Sequence, residues 1–179
     1  MTFLPGQPLA SAGCFTLAER TLAGVREHVV NVVTVPPRAT AVVAQTTTWE
    51  LFPQLWRRLL DEVYAFVRSR PDLAGTTGPG PKWQNVMLYK DDRPAVEVGV
   101  LVGAPFSRQG RVTPSHLPGG RAAMTVHRGD YTGLRGAHDA VHRFAHESGL
   151  ELAGPRWEIY GHATPDPRDL ETEIFYLLG

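Results

Sequence analysis

Apolar positions along the chain switch between two periods. From Trp49 to Arg70, Phe52, Leu55, Leu59, Val63 and Phe66 recur every three or four residues while Arg57, Arg58, Asp61 and Arg68 take the other face. That pattern predicts an amphipathic helix, stopped by Pro71. Ala39 to Thr46 is short and β-branched, and Val86 to Tyr89 and Ala95 to Val102 flank the turn residues Asp91, Asp92 and Pro94, so these read as three strands, the last two a hairpin. The same course follows again: a strand at Ala122 to His127, a helix with the stripe Leu134, Ala137, Val141, Phe144 and Ala145, a C-capping Gly149, then strands at Trp157 to Tyr160 and Glu171 to Leu178 around Pro165-Asp-Pro-Arg168. Val29 to Val35 reads as an additional strand. The Gly/Pro-rich runs Gly75 to Pro81 and Gly103 to Gly120 read as loops, and the residues before about Glu27 as a partly mobile tail with a weak helical hint.

The two halves also share local motifs. Arg38-Ala-Thr-Ala-Val-Val-Ala44 corresponds to Arg121-Ala-Ala-Met-Thr-Val-His127, Gly80-Pro-Lys-Trp83 to Gly154-Pro-Arg-Trp157, and Val96-Glu-Val98 to Thr172-Glu-Ile174, in the same order. The expected fold is therefore α+β: duplicated strand-helix-strand-strand units forming an antiparallel sheet, with helices on one face and a ligand groove on the other. Residues 1–28 form an N-terminal extension, and 29–179 a single domain of two pseudo-repeats, about 29–103 and 117–179.

Alternation along the strands singles out two acids. Val96, Val98, Val100 and Val102 must face the helices, so Glu97 points away with Gly99 and Leu101. In the last strand Ile174, Tyr176 and Leu178 face the helices, and Glu173 points away between Phe175 and Leu177. An acid among apolar neighbours on a sheet face implies a sheltered concavity. There it offers either a counter-charge for an organic cation, with Trp157, Tyr131, Tyr160 or Phe175 as stacking rings, or a general acid or base whose pKa burial has raised. Tyr160 shares a strand face with Glu158, and one of that pair is expected beside Glu173. His127, on the face of Ala123 and Thr125, is a further lining candidate.

Charge and composition narrow the classes. Lys plus Arg and Asp plus Glu are 18 each. This balance gives no field to draw in nucleic acid or anionic lipid. The start lacks a basic segment followed by an apolar run and no stretch is long enough for a membrane helix, so a soluble, cytoplasmic protein is expected. Cys14, the single cysteine, excludes an internal disulfide and reads as an ordinary thiol. His138, His142 and His146, four residues apart, read as a solvated helix stripe, Gly119-Gly120 lacks the residues of a phosphate loop, and neither metal nor cofactor is expected.

Leu117-Pro-Gly-Gly-Arg121, His127-Arg-Gly-Asp-Tyr-Thr-Gly-Leu134, Gly149-Leu-Glu-Leu-Ala-Gly-Pro155, Trp157-Glu-Ile-Tyr160 and Thr172-Glu-Ile174 together resemble the GyrI-like small-molecule-binding domain family, also found as the effector domain of AraC-type and MerR-type multidrug regulators. The first half is similar through Pro36-Pro-Arg38, its helix and Val96-Glu-Val-Gly-Val100. The resemblance implies a groove between the halves in which a glutamate of the final strand, Glu173 here, meets cationic or aromatic ligands. Some stand-alone members resemble hydrolases that open the cyclopropane of alkylating natural products. The residues before the first strand are too few for a helix-turn-helix, so DNA binding by this chain alone is not expected. Three readings stand. One is a binder of aromatic, often cationic, hydrophobic compounds with Glu173, Glu97, Tyr131, Trp157, Tyr160, Phe175, His127 and Leu177 at the ligand. Another is a hydrolase in the same pocket, with Glu173 and Tyr131 catalytic, and the last a protein-interaction module.

Overall fold

The computed structural model describes residues 28–75, 83–162 and 164–179. The expected tail before Glu27, Cys14 and most of the loop read at Gly75 to Pro81 lie outside the described residues. Eight strands and two helices follow in the order β1 (Asn31–Val35), β2 (Arg38–Thr46), α1 (Phe52–Arg68), β3 (Asn85–Tyr89), β4 (Ala95–Leu101), β5 (Val112–Leu117), β6 (Gly120–Arg128), α2 (Leu134–Glu147), β7 (Leu152–Tyr160) and β8 (Glu171–Leu178). The fold class is α+β, with one antiparallel sheet of order β1-β6-β8-β7-β3-β4-β2-β5.

Local chemistry sets the boundaries. Pro53 opens α1, where a missing N–H costs no hydrogen bond. Gly149, at φ +63°, ends α2, and Leu150 N donates back to Ala145 O at 2.9 Å. The stretch read as a loop from Gly103 to Gly120 instead contains β5. Its Pro114 hides the strand from a propensity reading but is tolerated because β5 is an outer strand, paired only with β2.

The sheet does not lie flat. Only Pro36 and Pro37 separate β1 from β2, yet six inter-strand steps lie between them in the sheet order. A flat sheet would place them about 29 Å apart, whereas the link spans about 11 Å at most. The sheet therefore rolls until its outer strands approach. β5 and β6, joined through Pro118 and Gly119, impose the same condition, and the two links touch: a Cβ on Gly119 would stand 2.6 Å from Pro37 Cδ.

Rolling gives the sheet two different faces. The inner face is filled by Val86, Leu88, Leu101, Leu117, Trp157, Ile159 and Phe175, with Trp157 and Phe175 stacked at 5.1 Å and 7°. On the outer face α1 seats its Val63 and Val67 on Val43 of β2 and Val98 of β4, and α2 seats its Val141 on Ala123 of β6 and Ile174 of β8. The central pair β3–β7 is left as the floor of a trough between the helices.

Candidate ligand site

Asn85, Met87 and Tyr89 of β3 and Arg156, Glu158 and Tyr160 of β7 point up into the trough, with Met87 opposite Glu158 and Tyr89 opposite Arg156. Apart from Met87, this uncovered stripe is polar and aromatic where the flanking strands are apolar. Over it lies a cavity of about 320 Å³, walled by Phe52, Trp56 and Leu60 of α1, Leu134 of α2 and the rings of Tyr131 and Tyr160. Tyr131, half exposed in the 3-10 turn before α2, stands edge-on to Tyr160 at 5.6 Å and forms the rim. A second, larger chamber continues past Pro53 and Leu134 toward Trp49, His142, Arg156 and Tyr176, and Tyr89 and Glu158 line both.

Glu158 is the chemical centre. Its residue is 4% exposed, and its carboxylate accepts from Tyr160 OH and, at 3.3 Å, from Tyr89 OH. His138 Nε2 stands 2.9 Å from its other oxygen, and His138 Nδ1 2.9 Å from Tyr176 OH. A neutral His138 donating to Glu158 and accepting from Tyr176 satisfies both contacts. Burial, followed by the nearby Glu158 charge, pushes the Tyr89 and Tyr160 hydroxyls well above the usual phenol range, and burial pushes Tyr176 to about 12 against the opposing charge of Arg156. These phenols thus remain protonated donors at neutral pH. Glu158 is met by hydroxyls and an imidazole, and among the described residues no Lys or Arg forms an ion pair with it.

The residues proposed from sequence separate between the two faces. Tyr131 and Tyr160 line the cavity. Glu173, Glu97, Trp157, Phe175 and Leu177 are on the inner face, so the groove expected away from the helices is corrected: hydrophobic packing fills that face, and the cavity is on the helix side. Glu97, 5% exposed, pairs with Lys90 and accepts from Ser115 Oγ at 2.7 Å. Glu173 is half-buried. Burial raises its carboxyl pKa, the charge of Arg38 opposes that, and Glu171 adds to it. His127 is buried beneath the turn, its Nε2 2.7 Å from Asp130 O and its ring against Gly133. It lines neither chamber.

The sequence reading missed His138, Tyr89, Tyr176 and the central place of Glu158. The available signal was the alternation Arg156, Glu158, Tyr160 beside Asn85, Met87, Tyr89: polar and aromatic positions on the face that the other strands keep apolar.

The profile of the GyrI-like small molecule binding domain matches residues 28–178. The chain belongs to this family. Among solved structures it is similar to the C-terminal domain of EcmrR, at 17% identity and a TM-score of 0.67, covering 85% of this chain and 98% of that one. In the EcmrR–DNA complex the identity is 18% and the TM-score 0.68 over 84% of this chain, which spans only 57% of the EcmrR chain. It is also similar to SAV2435 bound to tetraphenylphosphonium, at 12% identity and a TM-score of 0.55, covering 86% and 94%, and to a hydrolase from Listeria innocua, at 14% and 0.51, covering 84% and 91%. At such identities the likeness concerns the fold. No curated protein sequence matches the chain significantly. Among the described residues no helix is long and apolar enough to cross a membrane.

Proposed function

We propose that this GyrI-like domain takes up aromatic, often cationic, hydrophobic compounds in the trough between α1 and α2, with Glu158, rather than Glu173, as the group that fixes them. One observation carries the reading: a nearly fully buried carboxylate in the wall of a largely apolar cavity, held by two tyrosine hydroxyls and the His138 imidazole, with no Lys or Arg paired to it among the described residues. Such a charge attracts an organic cation, because desolvation strengthens the interaction and the flanking rings of Tyr131, Tyr160 and Trp56 add stacking and cation–π attraction. The neighbour bound to tetraphenylphosphonium, an aromatic cation, supplies a suitable probe.

Calorimetric titration with tetraphenylphosphonium tests this. Glu158→Gln is expected to weaken binding about tenfold or more, the cost of losing a desolvated counter-charge, while Glu173→Gln leaves it unchanged. Equal binding by wild type and Glu158→Gln, or loss in Glu173→Gln, overturns the assignment.

A hydrolytic reading is favoured by one further feature, the hydrogen-bonded chain Glu158–His138–Tyr176 running from the cavity wall into the second chamber. Glu158, supported by His138, is then the base toward water, and Tyr160 or Tyr131 holds the electrophile. Under it a strained cyclopropane substrate is consumed with turnover, and Glu158→Gln loses rate more than affinity. Stoichiometric retention without product rejects it.

A further inference from the structure

The second chamber differs chemically from the first. Arg156 lies two residues before Glu158 on the same face of β7, so their backbones are about 7 Å apart, and the two side chains present opposite charges along one groove. The Arg156 guanidinium is held between rings, 5.2 Å from the centroids of both Trp49 and Tyr89 and 6.0 Å from that of Tyr176. Its side chain is only 14% exposed, and its carboxylate partner, Asp92 at 3.2 Å, is fully exposed on a turn. A planar cation fixed by aromatic stacking is a preorganised fork for an oxyanion, whereas an ion pair to a fully solvated carboxylate is weak and easily exchanged. His142, against Tyr176 at 5.0 Å, and Arg135 add further donors to this chamber.

We infer that the groove is bipolar and selects dipolar ligands: an aromatic cationic body in the first chamber against Glu158, and a carboxylate in the second, where it takes the place of Asp92 on Arg156. This rests on the uptake of aromatic cations proposed above and adds an anion subsite to it. The ligand's carboxylate gains a charge-assisted, bidentate contact in place of the single one that Asp92 makes at the solvent boundary. A compound with the cation alone leaves that contact unused.

Rhodamine B and its ethyl ester form a matched pair, since they share the cationic aromatic body and differ in whether the carboxylate is free. In calorimetric titrations of the full chain, the acid is expected to bind about tenfold more tightly than the ester, the worth of one charge-assisted contact. The acid-to-ester affinity ratio should fall to about one in Arg156→Gln and remain above one in Arg156→Lys, which keeps the charge without the fork. Asp92→Asn, on an exposed turn with no packing role, should raise the ratio about threefold by removing the competing carboxylate. A ratio at or below one in the wild type, or one unmoved by both Arg156→Gln and Asp92→Asn, overturns the anion subsite while leaving cation uptake intact. Failure of either dye, and of tetraphenylphosphonium, to bind overturns the underlying uptake and the subsite with it.

Discussion

Trp157 and Glu158 are adjacent in sequence and occupy opposite environments. Trp157 faces inward and stacks on Phe175 in the packed interior of the rolled sheet. Glu158 faces outward into the trough and meets Tyr89, His138 and Tyr160 around an open cavity. Both are buried, so burial alone does not mark a site. The difference is what covers each face: across the interior the rolled sheet packs Trp157 against Phe175 and other apolar side chains, whereas two helices seated to either side leave the central strands bare. Apolar surroundings around an acid, as at Glu173, are equally the mark of a well-filled interior.

The largest test of this contrast is Trp157→Ala. Removing the ring from the closed face should cost about 4 kcal/mol, read as a lower midpoint in urea denaturation, while the molecules that remain folded bind tetraphenylphosphonium as before. Loss of binding in proportion to stability would break the separation of the faces. His138→Ala comes next. It strips a donor from the buried Glu158 and an acceptor from Tyr176, so stability should fall by about 2 kcal/mol and the probe affinity should change several-fold. Glu97→Gln should cost about 1 kcal/mol, because Lys90 is half exposed and Ser115 can still donate to an amide oxygen, and it should leave probe binding untouched.

Glu173→Gln gives the smallest effect, and its sign is informative. Burial raises this carboxyl above its ordinary 4.5 in the folded chain, so the fold binds the proton more tightly than the unfolded chain does. The stability tied to that proton is fully present below pH 4.5 and is lost as pH rises through the folded value. At neutral pH the glutamine variant should thus melt slightly higher, by less than about 1 kcal/mol because solvent still reaches the group, and the gain should vanish below pH 4.5. A variant that melts lower at pH 7 would mean that Arg38 outweighs desolvation.

Much of the architecture was legible in the sequence because periodicity reports which residues share a face. Strand and helix positions follow from it, and so does the opposition of Ile174 to Phe175. β5 escaped because its short pattern is broken by Pro114, and only pairing with β2 reveals it. The site escaped for a different reason. Alternation says that Trp157 and Glu158 oppose one another but not which face is left uncovered, and that depends on where both helices settle. His138 illustrates the same limit. Steps of four residues advance about 40° past a full turn, so the series His138, His142, His146 drifts from the trough toward solvent, and only its first member reaches Glu158.

The touching proline links have a consequence for how the chain reaches its final state. β1 emerges first but finds its partner only in β6, and β2 completes its pairing only when β5 arrives. Each outer strand pairs with an element distant from it in chain order, like two hands clasped. A nascent polypeptide must therefore wait until Arg128 has been synthesised before both outer edges can zip, and severing the link at Pro36 and Pro37 should leave β1 held only by its pairing with β6.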